Sequence, residues 1–181
     1  MTTWVALLRG INVGGRNRLP MADLKQIFAD LGCEKVNTYI QSGNVIFVAT
    51  IGSANRFCGR VAAAIDADFG FRPDVHLVTG KEFEKAITSN PFPNAVEDPK
   101  SLHVAFLDDV PDDEHVDRAK ELLAPSESCE LIGRHLYLHA PDGIARSKFA
   151  ARMEKTLGVG ATARNWRSTM KIMAIAADIA D

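Results

Sequence analysis

The order in which strand-like and helix-like patterns follow one another constrains this fold more than any other feature of the sequence. In the first half, short apolar runs alternate with stretches whose apolar residues recur every three or four positions, as in amphipathic helices. The predicted elements are a strand over 3–8, a helix over 20–31, strands over 35–41 and 45–48, a helix over 53–69 and a strand over 74–78. This βαββαβ order predicts a ferredoxin-like fold, an antiparallel sheet with both helices on one face.

The second half begins the same order again. Its predicted elements are a strand over 102–107, a helix from Asp112 or Asp113, a hairpin over 130–139, a helix over 147–157 and a short strand over 161–163. Extra helices are predicted over 81–88 and 166–177. We therefore expect an α+β protein of two ferredoxin-like halves with extra helices after each. The proline-bearing linker around Pro91 and Pro93 predicts a boundary between domains 1–92 and 93–181.

Size, hydropathy and cysteine usage limit where such a protein works. The chain has 181 residues, and no apolar run approaches the roughly 20 residues that cross a bilayer, so we predict no membrane partner. The N-terminus lacks the basic start and long apolar core of a signal peptide. Cys33, Cys58 and Cys129 are odd in number and scattered, which predicts free thiols and a cytoplasmic location.

The segment Arg9–Pro20, with the sequence RGINVGGRNRLP, is the first candidate site. It joins an apolar strand to an amphipathic helix, and its glycines permit positive φ and close backbone approach. Backbone N–H groups in such a turn, followed by a helix N-terminus, converge on anions in other proteins. The candidate ligand residues here are Arg9, Asn12, Gly14 and Gly15. The alternative is a surface loop whose glycines serve turn geometry alone.

The tip of the first hairpin is the second candidate. Gln41, Ser42 and Asn44 carry good hydrogen-bonding groups, although asparagine and glycine also simply form hairpin turns. The sequence reading leaves open whether this tip lies beside the Arg9–Pro20 loop.

Two clusters in the second half each open a predicted helix with cationic and polar residues. The candidate ligand residues are Arg146, Ser147 and Lys148 in one cluster and Arg164, Asn165 and Trp166 in the other. Free N–H groups at a helix start, beside cations, favour a phosphate or carboxylate. The indole could stack on a flat ligand. The alternatives are that Ser147 only caps its helix and that Trp166 is a packing anchor.

Charge is distributed unevenly although the net charge is only −2. Residues 97–130 carry eleven acids against three basic residues, residues 146–171 carry seven basic residues against one acid, and residues 9–25 carry four against one. The two basic regions could form one positive surface if the fold brings them together. Alternatively, each faces water.

Metal and cofactor chemistry finds no support in the sequence. His135 and His139 would lie on one face of a strand but roughly 13 Å apart, too far to share a zinc ion. The four clustered carboxylates, which could bind a hard cation, lack the spacing of a calcium loop: Asp108, Asp109, Asp112 and Asp113. The chain has no GxSxG elbow, Walker lysine, HExxH motif or CxxC pair. We predict no metal and no cofactor, and whether the protein is an enzyme stays undecided.

Three segments of this chain closely resemble a bacterial family named for a domain of unknown function, DUF1697. They are Arg9–Gly15 (RGINVGG), Tyr39–Phe47 (YIQSGNVIF) and Arg164–Trp166 (RNW). The similarity spans nearly the whole chain and implies a cytoplasmic α+β protein built from two ferredoxin-like halves. It brings no established catalytic residues with it.

The function that we expect is binding of an anionic, phosphate-bearing small molecule or nucleotide through the glycine and arginine loop. Nucleic acid is a weaker version of this partner, because the net charge is slightly acidic and the third strand lacks the aromatic pattern of an RNA-recognition module. The alternatives are an enzyme acting on a phosphorylated or carboxylated metabolite and a nucleic-acid or protein interaction module. The sequence leaves the oligomeric state open.

Overall fold

The computed structural model describes residues 1–180, whose strands form two four-stranded antiparallel sheets. The strands of the first sheet are β1 (Thr2–Arg9), β2 (Glu34–Tyr39), β3 (Asn44–Ala49) and β4 (Asp74–Thr79). Those of the second sheet are β5 (Leu102–Leu107), β6 (Ser128–Ile132), β7 (His135–His139) and β8 (Ala161–Asn165). The strand orders, β2-β3-β1-β4 and β6-β7-β5-β8, are equivalent, so the two sheets repeat one topology.

Six α-helices accompany the sheets within residues 1–180. They are α1 (Met21–Asp30), α2 (Ala54–Phe69), α3 (Gly80–Thr88), α4 (Asp113–Lys120), α5 (Lys148–Leu157) and α6 (Trp166–Ala180). Short 3₁₀ turns cover Pro93–Glu97 and Ile144–Arg146. The predicted α+β fold of two ferredoxin-like halves, each followed by an extra helix, is confirmed. Among the described helices, none combines the length and the apolar character needed to span a membrane.

Contacts within the folded chain define two compact units. The first contains residues 1–85 together with the part of α6 that begins at Lys171, and the second contains Ala86–Met170. Within the first unit, Lys35 Nζ donates to the carbonyl of Ile179 at 3.0 Å. Domains with limits at 1–92 and 93–181 stay a prediction.

The core of the first unit forms where α1 and α2 cover one face of the first sheet. Phe28 of α1, Phe47 of β3 and Phe57 of α2 meet there, with ring centroids 5.0 to 6.0 Å apart. Ser53 caps α2 by accepting a hydrogen bond from the Arg56 N–H at 3.4 Å. This cap fixes where α2 begins and therefore which of its side chains face the core.

The second unit buries an equivalent core under α4 and α5. Phe149, Met153 and Leu157 project from α5 at helical spacing and are buried against the second sheet. Tyr137, fully buried on β7, donates its hydroxyl hydrogen to the Ala86 carbonyl at 2.6 Å. Burial raises the pKa of this phenol to about 12, so Tyr137 stays neutral and remains a donor.

Thiol reactivity tests both cores at once. Burial raises the pKa of Cys33 and of Cys129 to about 11, whereas Cys58 is partly exposed. At pH 8 a thiol with that pKa is thiolate in only about one molecule per thousand. We expect a maleimide or alkylating reagent at pH 8 to modify Cys58 first, as read by mass spectrometry of tryptic peptides. In urea-unfolded protein all three should react alike, and equal rates in the native protein would contradict these core assignments.

Candidate functional site

The Arg9–Pro20 loop and the tip of the β2–β3 hairpin lie side by side. Strands β1 and β3 pair antiparallel, with Leu7 opposite Asn44, so the end of β1 is adjacent to the start of β3. The Leu8 N–H donates to the Gly43 carbonyl at 2.8 Å and extends this pairing into the tip. The first two candidate segments therefore form one region, at the end of the first sheet where β1 finishes and β3 begins.

The side chain of Asn12 joins the loop to the tip. Its Oδ1 accepts from the Leu19 N–H at 2.8 Å, and its Nδ2 donates to the carbonyls of Leu19 at 2.9 Å and Gln41 at 3.1 Å. Its backbone N–H donates to the Asn17 carbonyl at 3.0 Å. Because the carboxamide is already used in these bonds, Asn12 acts as a structural residue of the loop here.

Gly14 and Gly15 occupy the turn of a small hairpin inside the loop. Val13 and Arg16 form a β-bridge across them, and the two glycines have φ values of +58° and +76°. Two successive positive φ values are typical of a type I′ turn, which favours glycine. A Cβ at either position would meet no atom of residues 1–180 within 4 Å, so turn geometry accounts for both glycines.

Close packing, by contrast, requires the glycine at the hairpin tip. Gly43 has φ +74°, and a Cβ there would lie 2.7 Å from Leu8 Cβ and 3.1 Å from the Leu8 carbonyl oxygen. Next to it, the buried Asn44 side chain donates to the Tyr39 carbonyl at 3.0 Å and to Ser42 Oγ at 2.8 Å. The predicted strand over 35–41 ends at Tyr39, because Ile40 turns the chain with φ +48°.

A shallow cleft of about 660 Å³ lies where the loop enters α1. Its lining residues are Asn12, Gly15, Arg18, Leu19, Pro20, Met21, Ala22 and Gln41. Pro20 occupies the N-cap of α1 and forms no side-chain cap hydrogen bond. The N–H groups of the first three residues of α1 therefore have no intrahelical acceptor, and no side chain in residues 1–180 accepts from them.

The arginines of the loop differ in what they contact. Arg9 Nη2 lies 2.5 Å from Asp74 Oδ2 on β4, so its positive charge is already paired. Arg16 and Arg18 are exposed, and neither forms an ion pair with any residue in 1–180. Arg18 lines the cleft, although it is not among the candidate residues predicted from the sequence. Its position just before the predicted start of α1 could have indicated this role.

In the second unit, the Arg146–Lys148 cluster lies at the start of α5. Ser147 is buried and caps this helix, accepting from the Ala150 N–H at 3.0 Å. Arg146 and Lys148 on either side of it are exposed. The cap explains Ser147, while the two cations remain available to solvent.

The Arg164–Trp166 cluster spans the end of β8 and the start of α6. Asn165 Oδ1 accepts from the Ser168 N–H at 2.9 Å and so caps α6. Trp166 is only 5% exposed, which favours the packing interpretation. Burial lowers the pKa of Arg164 to about 10, and its Nη1 donates to the Ala163 carbonyl at 2.9 Å.

Residues 1–180 contain no group of three or more histidine, cysteine, aspartate or glutamate side chains arranged to hold a metal ion. His103 on β5 is buried, and its Nδ1 has no hydrogen-bond partner in the described part of the chain. Burial lowers the pKa of this imidazole, although the nearby Ser101 backbone opposes the shift. His103 is therefore a neutral residue of the sheet core.

Comparisons with known proteins agree with this fold and leave the activity open. The family model described as "Protein of unknown function (DUF1697)" matches residues 1–137. A solved structure of a conserved bacterial protein from Streptococcus pneumoniae is 24% identical, with a TM-score of 0.75. The similarity covers 97% of this chain and 98% of that protein. No curated protein matches the chain.

Gly43 provides a direct test of the contact between the tip and β1. We expect Gly43→Ala to destabilise the protein by about 2–5 kcal/mol, because left-handed backbone strain of about 1–2 kcal/mol adds to overpacking of about 1–3 kcal/mol. Gly70→Ala is the matched control, since Gly70 also has φ +74° but open space around its Cα. Urea unfolding of both variants gives the two free energies. Equal losses would show that Leu8 does not crowd position 43.

Proposed function

The chain belongs to the DUF1697 family of proteins of unknown function, and we propose that its first unit binds a phosphate-bearing small molecule or nucleotide. The proposed binding site is the cleft where the Arg9–Pro20 loop enters α1. The observation that carries this proposal is the position of Arg18 beside the start of α1, where the N-cap Pro20 forms no side-chain cap hydrogen bond.

The chemistry of this cleft suits an anion. Met21 and Ala22, the first two residues of α1, line it at the positive end of the helix dipole, where phosphates and carboxylates bind in other proteins. Arg18 adds a guanidinium that donates charge-assisted hydrogen bonds to such a group. Arg9 has a smaller part in this proposal than in the sequence-based expectation, because Asp74 already neutralises it.

The other lining residues favour an organic phosphate over a bare ion. Pro20 and Met21 offer apolar surface, and the exposed Gln41 offers an amide that both donates and accepts hydrogen bonds. A cleft of about 660 Å³ is within the size range of pockets for small organic ligands. These features support a small-molecule ligand of nucleotide size.

A nucleic-acid ligand has less support. Phe47, the aromatic residue of β3, packs against Phe28 and Phe57 in the core and therefore offers no stacking surface to a base.

In the second unit, exposed Arg146 and Lys148 are proposed anion contacts at the start of α5. The three free cysteines support a cytoplasmic location for this binding.

Two substitutions with opposite expected effects on ligand affinity test the cleft. Arg18→Gln should weaken binding of adenosine 5′-monophosphate roughly tenfold, because it removes a charged hydrogen-bond donor. Asp23→Asn should strengthen binding about two- to fivefold, because it removes an exposed negative charge from the first turn of α1. Isothermal titration calorimetry, with ribose 5-phosphate and inorganic phosphate as further probes, measures both effects.

The controls for this experiment are an exposed arginine elsewhere in the unit and an uncharged ligand. Arg72→Gln should leave the affinity unchanged, and adenosine should bind more weakly than its phosphate. Absence of binding for all three phosphates, or one affinity shared by every variant, would contradict the proposal.

A further inference from the structure

A second cleft of about 430 Å³ lies in the first unit, between the end of α1 and the start of α2. It is separate from the Arg18 cleft, with which it shares no lining residue. Leu31, Ile51 and Phe57 form its apolar surface, and Arg56 and Arg60 are its two cationic side chains.

The two arginines are neighbours on the surface of α2. Residues four apart on a helix have Cβ atoms about 5–6 Å from each other, and like charges at that spacing destabilise the helix. Arg56 and Arg60 are both exposed, and neither forms an ion pair with a residue in 1–180. An anion in the cleft would relieve this repulsion.

The surroundings of the arginines leave their guanidinium groups available. Ser53 Oγ accepts a hydrogen bond from the Arg56 backbone N–H, and its own hydroxyl hydrogen is left to donate to an anion. Asp30, the acid at the end of α1, accepts a hydrogen bond from Gln26 at 2.8 Å and does not line the cleft. The positive charge of Arg60 also reaches the Cys33 thiol, where it opposes the rise in pKa that burial causes.

We propose that this cleft binds a phosphate monoester whose organic part is apolar or aromatic. Two guanidinium groups match the charge of a phosphate monoester, which is largely dianionic at pH 7, and both can donate paired hydrogen bonds to its oxygens. Leu31 and Ile51 are half-buried and offer apolar surface to the organic part. This site is independent of the Arg18 cleft.

The test is a residue-resolved titration of the full chain with phenyl phosphate, followed by ¹H–¹⁵N correlation spectra. We expect saturable shifts of the Arg56, Phe57 and Arg60 amides. The double variant Arg56→Gln/Arg60→Gln should bind at least about tenfold more weakly, because it loses two charged donors. Arg72→Gln, an exposed arginine of the same unit outside the cleft, should bind as the wild type does.

Neutral phenol and inorganic phosphate separate the two parts of the ligand, and each should bind more weakly than phenyl phosphate. If the double variant is poorly folded, Arg56→Gln and Arg60→Gln are measured singly, and each should weaken binding. Shifts of Gly15 and Gln41 alone would place the ligand in the Arg18 cleft and overturn this proposal, whereas shifts of α2 alone would support it and count against the Arg18 cleft.

The arginines could instead serve only to complement the carbonyl end of α1, which has no basic residue in its last turn. In that case the double variant would have a lower melting temperature but an unchanged affinity for phenyl phosphate. That result, like shifts that rise linearly without saturation, would overturn the proposal.

Discussion

The antiparallel pairing of β1 with β3 is the constraint on which the candidate site depends. It places the end of β1 beside the start of β3, so the loop that follows one strand must meet the turn that precedes the other. The Asn12 carboxamide then fixes the loop to the tip, and the missing side chain of Gly43 allows the two backbones to approach. The cleft at the start of α1 exists because this junction holds Gln41 near Arg18 and Pro20.

The polar residues of the region fall into two groups with different physical roles. Asn12 and Asn44 are buried or half-buried, and their amides bond to backbone or to a neighbouring hydroxyl. Arg18 and Gln41 are exposed at the cleft and are the groups that a ligand would meet. The asparagines of the loop are therefore polar residues whose amides bond to the protein's own backbone.

Much of the fold was predictable because local patterns determine it. Ser53 and Ser147 cap the helices whose starts the sequence indicated, and the two βαββαβ orders match the two sheets. The contact between the Arg9–Pro20 loop and the tip of the β2–β3 hairpin could also have been predicted, because the first and third strands of this topology are antiparallel neighbours. The ion pair of Arg9 with Asp74 could not be predicted, because it depends on the register that places those residues opposite each other on β1 and β4. Asn165 was expected to be a ligand residue at the start of the last helix. In the structure it ends β8 and caps α6, which could not be predicted because the sequence placed the end of this strand at residue 163.

The most direct test of the junction is native-state hydrogen exchange at the Leu19 amide, which donates to Asn12 Oδ1 at 2.8 Å. We expect slow exchange at Leu19 in the wild type and much faster exchange in Asn12→Ala, while exchange of the Val61 amide within α2 is unchanged. Two results would contradict this role of Asn12. One is a Leu19 amide that exchanges in the wild type as fast as in an unstructured peptide, and the other is an equal exchange rate at Leu19 in the two proteins.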